Sequence, residues 1–239
     1  MHTSEPISSR AFWAALLPAM LLPLVASLFY FVWFSEEVWA RWIYSSTKVF
    51  TLVWPLLVWC WWWQRPWPRM EWNPAKHLRA LPLGVLTGAL MVGTFLLLLQ
   101  TPLGDVVQAS AGRMKEKAEA LGFLKYYWVF GVFLAVIHSG IEEYYWRWFV
   151  GGRLRERLPR AAAYVLGALA FAAHHIVVTT QFFPLGWGIF FGLAVGVGGA
   201  VWHWQMERQS TLAGAWCSHM LVDFGLLAVG HKLIFDTWV

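Results

Sequence analysis

The sequence predicts an all-α fold, a polytopic transmembrane helix bundle of about seven spans, and three observations predict it. Of 239 residues, 59% are hydrophobic and only 13% charged, about half the charged share of a soluble domain. The apolar residues fall into seven runs separated by polar or basic stretches. Nineteen tryptophans occur, and clusters such as Trp59, Trp61, Trp62 and Trp63 beside Arg65 have the composition of an interfacial aromatic belt.

The first run, Ala11–Phe34, is 24 residues without a charge. It is about 36 Å as a helix, too long for a signal-peptide core, and reads as a retained anchor. Val49–Trp63 is a short second span that either tilts little or extends into its flanks. Ala80–Gln100, Tyr126–Val150, Ala161–Gln181, Gly186–Trp204 and Thr211–His231 follow. Between the third and fourth, Val107, Ala111, Met114, Ala118 and Leu121 recur at spacings of four and three. That stripe predicts a peripheral amphipathic helix around 105–125, lying on the membrane surface. A lid over a substrate entrance is the functional alternative, and an eighth, shallow span the structural one. In the sixth run Gly188, Gly192 and Gly196 fall at four-residue steps, which lets helix backbones approach closely. The whole of 1–239 reads as one integral membrane domain, with its polar motifs in a core at about 126–231.

Basic residues report topology. Ten of them (Arg10, Arg65, Arg69, Lys76, Arg79, Arg153, Arg155, Arg157, Arg160 and Arg208) fall on one side of a seven-span arrangement. Seven fall on the other: Arg41, Lys48, Arg113, Lys115, Lys117, Lys125 and Lys232. This favours a cytoplasmic N-terminus. The net charge of +5 is dispersed among helix ends, so no nucleic-acid partner is expected. The two cysteines, Cys60 and Cys217, form neither a disulfide framework nor zinc-ligand spacing. Cys217 and His219 are two apart and do not share a helix face.

Polar clusters interrupt the apolar runs. Leu134–Phe149 holds Glu142, Glu143 and Arg147. Each ionised residue near a bilayer centre costs roughly 2.5–3.5 kcal/mol, and such residues usually face a partner or a water-filled cavity. Glu143 and Arg147 are four apart and share a face; Glu142 is rotated from Glu143 by about 100°. One carboxylate is then paired, while its neighbour is free to face a cavity and exchange protons. Phe171 and His175 share a face of the next helix, with His174 pointing elsewhere. His219 and Asp223 form another i,i+4 pair, in which Asp223 orients the imidazole. His138, four before Glu142, is placed to hydrogen-bond it, and His203 sits near a helix end where an interfacial role suffices. Counted from the helix ends, Glu142 and His219 lie about 12 Å deep and His175 about 21 Å, so tilt is needed to bring them together. A carboxylate and two imidazoles are a sufficient set for activating water and stabilising an oxyanion. Glu, His and His could also hold zinc, but the local HExxH arrangement is missing. No cofactor is expected; zinc is the alternative.

The ordered motifs EExxxR (Glu142, Glu143, Arg147), FxxxH (Phe171, His175) and HxxxD (His219, Asp223) on successive helices resemble the CAAX protease and bacteriocin-processing family, which includes the type II CAAX prenyl endopeptidases. The resemblance covers residues 134–226. It implies a glutamic-type intramembrane endopeptidase in which Glu142 is the general base, helped by His175. Glu143, tied to Arg147, would support the site, and His219 and Asp223 would take the place of the oxyanion-stabilising pair. Where these enzymes usually carry Asn, this chain has Asp223. An ionised Asp cannot donate to an oxyanion, so Asp223 is either protonated or only orients His219.

The expected function is hydrolysis of a peptide bond near the C-terminus of a membrane-associated or lipid-linked substrate. The expected partners are membrane lipid and a protein or peptide with a hydrophobic or lipidated C-terminal region. The expected location is a bacterial inner (plasma) membrane, with an endoplasmic-reticulum membrane as the alternative. Two other functions fit the composition: a non-catalytic scaffold or immunity factor of the same fold, and a proton-coupled transporter, since intramembrane Glu and His also make proton relays. The chain lacks the inverted repeats and paired broken helices common in transporters.

Overall fold

A computed structural model describes residues 7–35, 37–67, 73–120 and 122–235. Arg69 of the basic loop and Leu121 of the amphipathic stripe lie outside them. Nine helices and no strand are formed by the described residues: α1 Ser9–Trp33, α2 Val38–Trp62, α3 Pro74–Leu98, α4 Pro102–Ala109, α5 Ala111–Ala120, α6 Leu124–Arg157, α7 Arg160–Phe182, α8 Leu185–Gln209 and α9 Ala213–Phe235. All but α4 and α5 are long and apolar enough to cross a membrane. The chain is an integral multi-pass membrane protein.

Helix starts follow from side chains that replace missing backbone partners. The Ser8 hydroxyl accepts from the Ala11 N–H and the Asn73 side-chain oxygen from the Lys76 N–H, with Pro74 at the first helical position of α3. Proline also leaves a signature inside α1. Pro23 has no N–H to give the carbonyl of Ala19, one turn back. The Tyr145 hydroxyl of α6 donates to that carbonyl at 2.7 Å, which satisfies a group that lipid could not and ties α1 to the motif-bearing helix.

The second span extends into its N-terminal flank, one of the two expected alternatives, and starts at Val38. Arg41, Lys48 and the hydroxyl residues around them interrupt the apolar run, so hydropathy alone truncated it. The hydroxyls turn onto the helix itself: Thr47 donates to the Ile43 carbonyl at 3.0 Å and Thr51 to the Lys48 carbonyl at 2.8 Å. Lys48 thus sits inside α2 rather than in a loop. One expectation is corrected: the connection at 105–125 is not one helix. It breaks at Ser110, which separates α4 from α5, and Val107 and Ala118 are buried, one from each piece.

The glycine steps do what their spacing predicts. The α8 helix packs against α7, and a Cβ on Gly188 would meet the Thr180 Cα at 2.7 Å. On Gly192 it would meet the Ile176 Cα at 2.6 Å, and on Gly196 the Ala172 Cβ at 2.7 Å. Backbone contact this close fixes α7 against α8. It also fixes the height of Phe171, His174 and His175. On the other side α3 packs on α9, with Gly84 and Gly88 facing Gly214 and Ser218.

Candidate active site

The α6 helix is 34 residues long and carries the EExxxR motif in its C-terminal half. From Glu143 to Gly151 its turns are wide: the Gly152 N–H reaches the Arg147 carbonyl, five residues back. Wide turns of this kind cluster at functional sites. The turn between α6 and α7 also levels the site. Glu142 lies fifteen residues before Arg157, and His175 fifteen after Arg160. In an antiparallel hairpin these two positions face each other. The depth offset expected between them disappears because α6 runs on to Arg157 rather than ending at Val150.

Glu142 stands at the centre of four imidazoles. His138 Nε2 is 3.3 Å from its Oε1, His174 Nε2 3.8 Å from the same oxygen, and His219 Nε2 3.8 Å from Oε2. Ligand atoms of Glu142, His174 and His175 all lie within 4.8 Å of one another. His174 is therefore not turned away, as its position one residue before His175 suggested. Its ring is buried, stacked on Trp146 at 5.4 Å. The sequence did not single it out because adjacent helical residues diverge by about 100°. The site is wide enough here to take both rings of the pair.

Two imidazoles are aimed by their second nitrogen. His175 Nδ1 pairs with the Phe171 carbonyl at 2.9 Å; as donor there, it leaves Nε2 as the free nitrogen. His219 Nδ1 pairs with Glu143 Oε1 at 2.9 Å. Its ring also stacks on Trp202, centroids 3.9 Å apart. The His219–Asp223 pair expected from the sequence forms at 3.7 Å on Nε2, the nitrogen that faces Glu142; the shorter contact, on Nδ1, is to Glu143. The two successive glutamates thus bracket one imidazole, each on a different nitrogen.

Glu143 is fully buried, and its other oxygen accepts from Arg147 Nε at 3.2 Å. The Arg147 guanidinium lies over the Phe171 ring at 4.3 Å and near Trp202 at 5.4 Å. A Cβ on Gly199 would press on Phe171 and Arg147, so that glycine makes room for the stack. Trp202 carried no motif signal; its Nε1 donates to Ser218 Oγ at 3.0 Å, beside His219. His203 lies apart from this stack. It is buried against Tyr164 and Gly151, with Nε2 3.8 Å from Glu207, away from Glu142's cluster.

A cavity opens onto Glu142 from α1 and α2. Ser27, Tyr44, Thr47, Lys48, Thr51 and His138 line it, and it has room for a water molecule. A carboxylate, imidazoles with free nitrogens and an approach with room for water make general acid–base chemistry available within the membrane-spanning helices. Glu142, His174 and His175 are also the residues that could hold a metal ion.

The bundle and its centre define a class: a multi-pass helical membrane protein with an acid–imidazole cluster buried among its spans. Residues 124–225 match the family model described as Type II CAAX prenyl endopeptidase Rce1-like, which is the kind of family that the motifs resemble. No curated protein and no solved structure matches the chain.

Proposed function

We propose that the protein is a glutamic-type intramembrane endopeptidase that cuts a membrane-associated or lipid-linked substrate near its C-terminus. Glu142 takes a proton from water, and the resulting hydroxide attacks the carbonyl carbon of the scissile bond. His175 helps to position that water. The His219 imidazolium donates from Nε2 to the developing oxyanion, while its Nδ1 stays on Glu143. The proton held by Glu142 then passes to the leaving amine as the C–N bond breaks. Glu143 and Arg147 position His219. Asp223 faces the same nitrogen and helps to keep the ring charged, rather than donating itself.

One observation carries this reading: Glu142 is approached by imidazoles from α7 and α9, at 3.8 Å or within 4.8 Å, at the end of a cavity in the membrane-spanning part. Buried, preformed donors are worth more there than in bulk water. A scaffold or immunity factor has no use for this convergence. A transporter would use the same groups as a proton relay.

The second reading is metal-assisted hydrolysis, favoured by the proximity of Glu142, His174 and His175. Tetrahedral zinc with bonds of about 2.0–2.1 Å needs ligand atoms about 3.3 Å apart. The present spacing of up to 4.8 Å would have to contract, and for that reason the metal-free reading is preferred. The expected membrane is a bacterial plasma membrane.

The proposal is tested by mass spectrometry of membrane-protein C-termini from cells expressing the wild-type chain or Glu142→Gln. Shortened C-termini that need Glu142 support it. Identical C-termini in both, with equal amounts of folded protein, overturn it.

A further inference from the structure

Lys48 is a cation inside a membrane span that the acid–base centre does not use. Its polar contacts among the described residues are His138 Nε2 at 3.5 Å and the face of the Tyr44 ring at 5.2 Å. The ion pairs of the described carboxylates engage histidines and arginines, not Lys48. The nearest acid, Glu142, already faces four imidazoles. His138 Nε2 cannot serve both neighbours at once: it either accepts from Lys48 or donates to Glu142. Lys48 therefore has an open demand for an anion, in the wall of the cavity that leads to Glu142. Unpaired cations at this depth are costly, and they mark substrate pathways.

A peptide brings one main-chain anion, its C-terminal carboxylate. Laid end to end, the two His138 contacts put Lys48 Nζ within about 7 Å of the Glu142 carboxylate. A carboxylate paired to that ammonium lies within about 10 Å of Glu142, which an extended chain spans in about three residues at 3.3–3.6 Å each. Building on the protease reading above, we propose that Lys48 binds the free C-terminal carboxylate of the substrate and so sets how far from the chain end the bond is cut. Thr47 and Thr51 do not compete for that anion, since their hydroxyls donate to carbonyls of α2 itself.

The test measures binding, so that it stands apart from catalysis. Glu142→Gln protein in phosphatidylcholine nanodiscs is titrated with one hydrophobic fluorescent peptide, as free acid and as C-terminal amide. The acid should bind about tenfold more tightly or better, the range of a close charge pair. Adding Lys48→Met should bring the acid-to-amide ratio close to one, and Lys48→Arg should keep part of it. Equal affinity for acid and amide with Lys48 intact overturns the assignment, as does a preference that survives Lys48→Met. If Lys48→Met does not fold, the acid–amide comparison with Lys48 present and the Lys48→Arg ratio decide. A ratio of one, together with Lys48-dependent binding of phosphatidylglycerol in the nanodisc, would assign the cation to a lipid headgroup and also overturn it. Undiminished turnover by Glu142→Gln would sink Glu142 as the general base alone, leaving the acid–amide ratio to judge Lys48.

Discussion

Removing the charge of Glu143 should do more damage to the fold than to any single contact. Its carboxylate joins Arg147 Nε at 3.2 Å to His219 Nδ1 at 2.9 Å, and it is wholly buried. Glu143→Gln keeps an oxygen for one partner but leaves the Arg147 guanidinium, 2% exposed, without a counter-charge. Breaking a buried pair from one side costs about 3–5 kcal/mol, whereas removing both charges is close to neutral. For a chain of this length each kcal/mol moves an unfolding midpoint by about 2–4 °C, so Glu143→Gln should lower it by about 6–20 °C. The double substitution Glu143→Gln with Arg147→Gln should recover most of that loss. The assay is thermal unfolding in detergent, at one scan rate for all variants. A single-variant drop within about 2 °C, or a double variant worse than the single, would refute the idea that Glu143 is held chiefly as the partner of Arg147.

Three other outcomes follow from named contacts. Gly192→Leu should separate α7 from α8, because even a Cβ there meets Ile176 backbone at 2.6 Å. The variant should lose activity at 25 °C and unfold earlier, and wild-type activity would contradict the tight packing. Tyr145→Phe leaves the Ala19 carbonyl without its donor, at a cost of about 0.6–1.7 kcal/mol in a membrane protein; its unfolding midpoint should fall by a few degrees with the cleavage site unchanged. Dialysis against EDTA should leave turnover intact, and inactivation reversed by zinc would replace the metal-free mechanism with a metal-bound one.

Much of this architecture can be read from residue order. Seven apolar runs become seven spans because lipid forces backbone groups into helices, and the glycine steps at 188, 192 and 196 foretell the α7–α8 contact. The motif spacing also marks Glu142, His175 and His219, which do converge. What sequence spacing hides is longer-range geometry. Lys48 looked like a loop residue because the run around it is polar, and its neighbours' hydroxyls turn onto their own helix. His174 looked averted because a regular helix would carry it away from His175. Asp223 looked like the partner of His219 because it is four residues away. Glu143, on another helix, is the closer one, and no local pattern in α9 announces it. The offset in depth between Glu142 and His175 was a matter of one boundary, the end of α6.

The central claim is that Glu142 activates the water that cleaves a peptide bond. Purified wild-type and Glu142→Gln proteins in detergent, matched by unfolding midpoint, should be compared for turnover of one fluorogenic peptide ending in a free carboxylate. Loss of a general base predicts a fall of about 10²–10⁴-fold. Turnover by the glutamine variant within twofold of wild type would contradict the account.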